Sequence, residues 1–530
     1  MSANNRSKNQ PLSCLLRLLG LGVVLTLSRG PLASDDPGLV EPLAAEGTPG
    51  VFTFAAVARQ ASELAQQAYE PDRPPLPDYL ANLDYDKHRD IRFRPEQSMW
   101  RAEGLPFQVQ FFHRGFLFED RVKINLIEDG RAVPLDFKHD YFDYGKNEVP
   151  EVLPPDLGFA GLRLMYPINR DDYFDEVGVF LGASYFRAVA QNLNYGITAR
   201  GLAIDTGLPS REEFPVFREF WIRKPAADAT EIELYALMDS GSVTGAYRFN
   251  IRPGVETVID VRARLFFRHG VSKLGVAPLT SMFFHGESTD RFMDDFRPEV
   301  HDSDGLLIET SYGERIWRPL ANPIGLRISN FVVESPRSFG LLQRDRDFRS
   351  YEDLEAHYHN RPSLVVEPQG EWGKGMVELV EIPSNAERYD NIAVYWVPER
   401  RTEGGQEWDF GYRLRFAKDP EAGLQGGRAV ATRIGAGGTD ILDPNVRKFV
   451  VDFAGEGLGR LDPETPVEAV LATTTGKISP AVVQFNPETR GRRLFFELTP
   501  DGRKPADLRA YLRQGGDVLS ETWSFRWVRE

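Results

Sequence analysis

Residues 261–267, VRARLFF, put Val261, Ala263, Leu265 and Phe267 on one side of an extended chain and arginines between them. That period of two is the signature of a strand with one face in a core. The same alternation recurs at Ile232, Leu234 and Ala236, at Phe107, Val109 and Phe111, and at Val122, Ile124 and Leu126 before a turn at Glu128-Asp129-Gly130. No long helical pattern separates these runs, so the sequence predicts an all-β fold of many antiparallel strands, most simply a large sandwich. One helix is expected early: Phe54, Val57, Ala58, Ala61, Leu64, Ala65 and Ala68 recur at helical spacing behind Thr53, until Pro71 ends the pattern.

A chain of 530 residues exceeds one ordinary core and predicts more than one domain. Phe is abundant (35), and 47 Gly with 37 Pro fit short strands and turns better than long helices. The net charge of −15 argues against an extended phosphate-binding surface, so nucleic acid is not expected as a partner.

Residues 1–33 have the make-up of an export signal. Arg6, Lys8 and Arg17 precede an apolar run from Leu18 to Leu27, and Pro31-Leu32-Ala33 offers a cleavage site. The apolar run is shorter than the roughly 18 residues of a membrane anchor, so a soluble product with no membrane span is expected. Cleavage would remove Cys14, the single cysteine, and would take the charge to −19 by removing Arg6, Lys8, Arg17 and Arg29. Thiol chemistry is thereby excluded. No twin-arginine pair is present, which points to the general secretory route.

Residues 34–50 read as a flexible leader, and 51–417 as the large β-sandwich. Within it YDKHRDIRFRPEQSMW (85–100) is expected to line a groove or to be a strand with a solvated face. AKDPEAGLQGG (417–427) has the composition of a linker, placed over 418–427. The residues beyond it, 428–530, again give short strands at the spacing of an immunoglobulin-like sandwich.

Chemistry is sought in 296–396, where acids, guanidinium groups and rings crowd together: FRPEVHDSDGL, GERIWRP, LLQRDRDFRSYEDLEAHYHNRPS, GEWGKG and RYDNIAVYW. No HExxH, GxSxG, phosphate loop or dinucleotide fingerprint occurs. Asp302-Ser303-Asp304-Gly305 lacks the further ligands of a calcium loop, so neither metal nor cofactor is expected. What remains is the vocabulary of saccharide sites: aromatic faces for sugar rings, polar groups for hydroxyls, and paired carboxylates able to cut a glycosidic bond. With 78 acidic residues, spacing alone selects no pair.

LGASYFRA, ARGLAIDT, EEFPVFREFWI, KLGVAPLTSMF, FRPEVHDSDGL, WRPLANP, FGLLQRDRDF, GEWGKG, VELVEIP, DNIAVYW and SETWSF, in this order from about Phe52 to the C-terminus, resemble the periplasmic glucan biosynthesis proteins of the OpgG/OpgD (MdoG/MdoD) family. The Sec-type signal fits the OpgG-like branch. The resemblance implies a galactose-mutarotase-like β-sandwich followed by an immunoglobulin-like domain, a periplasmic location, and work on osmoregulated glucans with a β-1,2-linked glucose backbone. It further implies an inverting endo-β-1,2-glucanase, with Asp390 as general acid and Asp302 as general base, their protons moving through water or sugar hydroxyls. Tyr358 and Arg361 would orient sugar or water, with Glu387 near the acid. Trp317, Trp372 and Trp396 are expected as stacking platforms or as core. The sequence departs from the family at its longer leader and around Asp290 to Asp295.

Two other readings share the same groove: a non-catalytic subunit that binds and presents glucan to an inner-membrane synthase and modifying enzymes, and a transglycosylase that cyclises the chain.

Overall fold

The computed structural model describes residues 51–150, 153–154, 156–438 and 441–529. The expected signal and leader lie outside them. The fold is all-β, with a ten-stranded and a fifteen-stranded sheet as its main layers. Neighbouring strands are mostly antiparallel, and the predicted alternation sets their facing sides: Val261, Ala263, Leu265 and Phe267 from the larger sheet enter one core with Phe111, Leu162, Phe180, Phe186 and Leu279 from the smaller. At Glu128-Asp129-Gly130 the chain turns as expected, Asp129 and Gly130 both taking positive φ (48° and 77°) to match the strand twist of a tight hairpin.

The larger sheet also buries parts of its second face. At one end lies the predicted helix, Phe54–Ala65, which packs Phe54, Val57, Ala58 and Ala61 on Trp221, Tyr235, Leu237 and Phe266. Thr53 stands at its N-cap position without a side-chain bond. At the other end Leu307, Trp317, Leu342 and Val365 share a core with Phe449, Phe496, Trp523 and Phe525.

One expectation needs correction. Residues 85–100 are not one strand: Asp84 caps a short helix, Tyr85–Asp90, by accepting from the Lys87 amide at 2.9 Å, and only Arg92–Phe93 is extended. Local capping outweighs a pattern that never truly alternated. The segment 418–427 is anchored along its length. Its Glu421 is buried against Arg344 (2.8 Å) and Arg315. Beyond it, Arg428–Gly437, Asp443–Ala454 and Gly491–Thr499 build a separate sheet, whereas Thr522–Trp527 pairs in parallel with Arg315–Pro319 and so extends the large one.

Candidate functional site

The site forms where the strand Leu274–Ser281 runs out. Three consecutive residues there fix the two segments carrying the aspartates. The Met282 carbonyl accepts from the Asp302 amide at 2.8 Å, the Ser281 carbonyl accepts from the Asn391 amide at 3.1 Å, and the Thr280 side chain, which donates to the Thr198 carbonyl at 3.4 Å, is close enough to Asp390 to favour its charged form. Asn391 locks this junction, accepting from the Phe283 amide (2.8 Å) and donating to the Phe283 (2.9 Å) and Ile382 (3.1 Å) carbonyls. A hydroxyl pair, Ser281 and Ser303 at 2.7 Å, ties the two segments side chain to side chain.

Asp302 is buried, and the Arg361 guanidinium is hydrogen-bonded to its carboxylate. Arg361 follows the short turn of helix Tyr358–Asn360 and lies 4.4 Å from the centre of the Tyr358 ring. The Tyr358 hydroxyl donates to Glu387 at 3.2 Å, and Glu387 pairs with Arg297 at 2.8 Å on the open side. Arg297 is held in turn by Asp295 and Asp353, each at 2.8 Å. The structure therefore brings together Asp302, Asp390, Tyr358, Arg361 and Glu387.

The electrostatics differ for the two aspartates. Burial pushes the Asp302 carboxyl up to about 6, with Arg361 opposing and the charge of Asp390 adding to the rise. Asp390 has a solvent-exposed side chain, yet the protein packed around it raises its carboxyl above the ordinary value, against the fields of Arg187 and Arg361. Desolvation of ionised carboxylates is the common cause. Tyr358 is likewise raised, mainly by burial.

Next to Asp302, His301 is clamped between Glu299 (2.7 Å at Nε2) and the Gln343 amide oxygen (3.0 Å at Nδ1). Burial disfavours its charged form, but these acceptors and Asp304 prevail and raise it to about 9. Glu299, His301 and Asp304 converge closely enough to hold a metal ion. The short Glu299–His301 contact is satisfied by a proton, however, and Asp304 is already engaged by the Arg344 and Asp345 backbone amides.

The three tryptophans belong elsewhere. Trp396 is fully buried and Trp372 nearly so, packed on each other at 6.1 Å within the main core. Trp317 lies in the second core under Arg344, whose guanidinium stands 3.6 Å from its ring. Of the two alternatives expected for them, groove platform and core, the structure gives core. Thr280, Arg187, Arg297, Ser281 and Ser303 were not singled out by sequence. Strand parity is the signal that reveals Thr280 and Arg187, which alternate with the core residues Leu279, Phe186 and Ala188.

Fold and site together define a β-sandwich protein with a solvent-open, acidic site at the end of its smaller sheet. The chain belongs to the periplasmic glucan biosynthesis family: the family described as "Periplasmic glucan biosynthesis protein, MdoG" matches residues 52–527. It is similar to "Glucans biosynthesis protein G" of Vibrio cholerae serotype O1 (strain M66-2), 47% identical over 480 residues, covering 90% of this chain and 87% of the relative. The protein of the same name from Rhodopseudomonas palustris (strain BisA53) is 47% identical over 482 residues, covering 91% and 94%. That of Bradyrhizobium diazoefficiens is 45% identical over 487 residues, covering 92% and 95%.

Proposed function

We propose that this protein processes glucan in the periplasm as an inverting endo-β-1,2-glucanase. Residues 51–417 carry the chemistry, and 428–530 serve as a structural or partner-binding unit. The observation that supports this most is the pairing of two aspartates with opposite surroundings in one open site. Asp302 is buried and held to a guanidinium, which suits a base. Asp390 is open to solvent with a raised pKa, which suits an acid that must arrive protonated.

Asp390 gives its proton to the glycosidic oxygen, directly or through a hydroxyl or water. Asp302 draws a proton from the attacking water on the opposite face of the ring. The bond from the anomeric carbon to the leaving oxygen breaks as the bond to water forms, so configuration inverts. Asp302 ends protonated and Asp390 ionised, and exchange with solvent restores both. Arg361 keeps Asp302 ionised enough to act, and Tyr358 with Glu387 orients sugar or water.

Incubating linear β-1,2-glucan with wild type, Asp390→Asn and Asp302→Asn tests this. New reducing ends with wild type and their loss in both folded variants support it. Ring products without new ends identify a transglycosylase, and no product under any condition identifies a presenting subunit.

A further inference from the structure

One face of the ten-stranded sheet is spent on the core, through Phe111, Leu162, Phe180, Phe186, Ala199 and Leu279. Their sequence neighbours must point the other way, because side chains alternate along a strand. Cross-strand register aligns those neighbours. Gln110 faces Arg163, Arg163 faces Val179, and Val179 faces Arg187. Phe186 faces Ala199, which sets Arg187 beside Thr198, and Thr198 faces Thr280, whose side chain favours the charged form of Asp390. Five strand steps at about 4.8 Å separate Thr280 from Gln110, so this row runs roughly 24 Å away from Asp390.

The row does not end on a flat surface. Over its outer part, from Arg187 onward, a cavity of about 260 Å³ is lined by His88, Phe112, Phe118, Glu176, Arg187 and Tyr195, among others. Its Glu176 is held in place beforehand by Arg163 outside the lining, which bonds Glu176 at 2.8 Å and Gln110 at 2.9 Å, with its guanidinium 5.7 Å from the Phe112 ring. His88 stacks on Phe118 at 5.2 Å. The Tyr195 hydroxyl is buried without a hydrogen-bond partner in bonding range, although Glu176 is near enough to influence it. A buried hydroxyl left in this way calls for a ligand atom. Rings around a few fixed polar groups suit an uncharged, hydroxylated ring. Arg163 balances Glu176, and Asp390 balances Arg187, so no net charge is asked of the ligand.

We infer that this cavity is an outlying subsite for glucosyl residues of the chain being processed, beginning at Arg187, two strand steps along the row from Thr280, and that it sets how long a glucan must be to bind well. The inference rests on the glucan reading above.

Two variants and two readouts test it. Phe118→Ala removes a partly exposed ring, so folding is preserved, and Leu181→Trp fills the cavity. In the Asp390→Asn background, titration calorimetry with linear β-1,2-glucooligosaccharides of graded length gives affinity without turnover. With Asp390 intact, the ratio of kcat/KM for long over short chains gives the kinetic counterpart. Each variant is expected to weaken long-chain binding about tenfold and to lower the long-to-short ratio by a similar factor. A wild-type length dependence in both variants overturns the subsite. If wild type cuts nothing while length-dependent binding is lost in the variants, the hydrolase reading fails and the subsite stands.

Discussion

The hydroxyls of Ser281 and Ser303, 2.7 Å apart and buried, join the segment that holds Asp390 to the segment that carries Asp302. Neither serine faces the substrate, so their contribution is position. Ser303→Ala leaves the Ser281 hydroxyl unsatisfied, at a cost of about 1–3 kcal/mol. It also frees the spacing of the two carboxylates. A misplacement near 1 Å costs on the order of 10²-fold in rate, so kcat should fall 10- to 100-fold while KM moves little. Steady-state kinetics with thermal melting separates the effects. A double Ser281→Ala, Ser303→Ala variant should recover stability relative to the sum of the singles but not kcat.

Activity should rise with pH through about 6, as Asp302 loses the proton that blocks it, and fall again once Asp390 ionises. Because the two carboxylates interact, the limbs report the pair. Arg361→Leu removes the largest influence holding Asp302 down, so the acidic limb should move to higher pH. Asp390→Asn should lower kcat by roughly 10²- to 10⁴-fold and abolish the alkaline limb. A pH–rate profile for each variant checks this, and an unmoved acidic limb in Arg361→Leu would sink the assigned role of Asp302.

Much of this arrangement is legible in the sequence. Alternation at 261–267 carried the fold because each strand has one face in a common core, and the helix at Phe54–Ala65 was visible because its apolar stripe has one sheet to cover. Asp302 and Asp390 lie 88 positions apart and no local rule joins them; the family resemblance did, and Ser281 is the physical link. Arg344 was equally hidden. It is an ordinary arginine in the sequence, yet it binds Glu421 and Glu521 at 2.8 and 2.6 Å while covering Trp317, a convergence that only tertiary contact creates.

Glu287 ties the loop before Phe296 to the C-terminal region. It accepts the Thr432 amide and pairs with Arg433 at 3.1 Å, and burial nonetheless raises its carboxyl to about 8. A carboxyl raised in the folded state holds its proton more tightly there than when unfolded. Its stabilising share is complete below about 4.5 and is lost as pH climbs through about 8. Melting temperature should therefore drop between pH 6 and pH 9. Glu287→Gln cannot ionise and should flatten that drop. An equally steep fall in the variant would place the dependence on another group.

All eight tryptophans are buried, including Trp317, Trp372 and Trp396, so the proposed glucan recognition has to use other rings. The packing around Trp396 explains why it cannot turn outward. Trp372 lies against it, and a Cβ on Gly375 would come within 2.5 Å of its ring. Its indole N–H finds no partner, so the ring is kept for volume. Truncation by Trp396→Ala should cost about 3–5 kcal/mol, as for other large core side chains. Saturating β-1,2-glucan should leave acrylamide quenching of the intrinsic fluorescence unchanged, because no indole face is available to be covered. Protection from quenching by glucan, lost in a Trp372→Phe or Trp317→Phe variant, would return that residue to the groove.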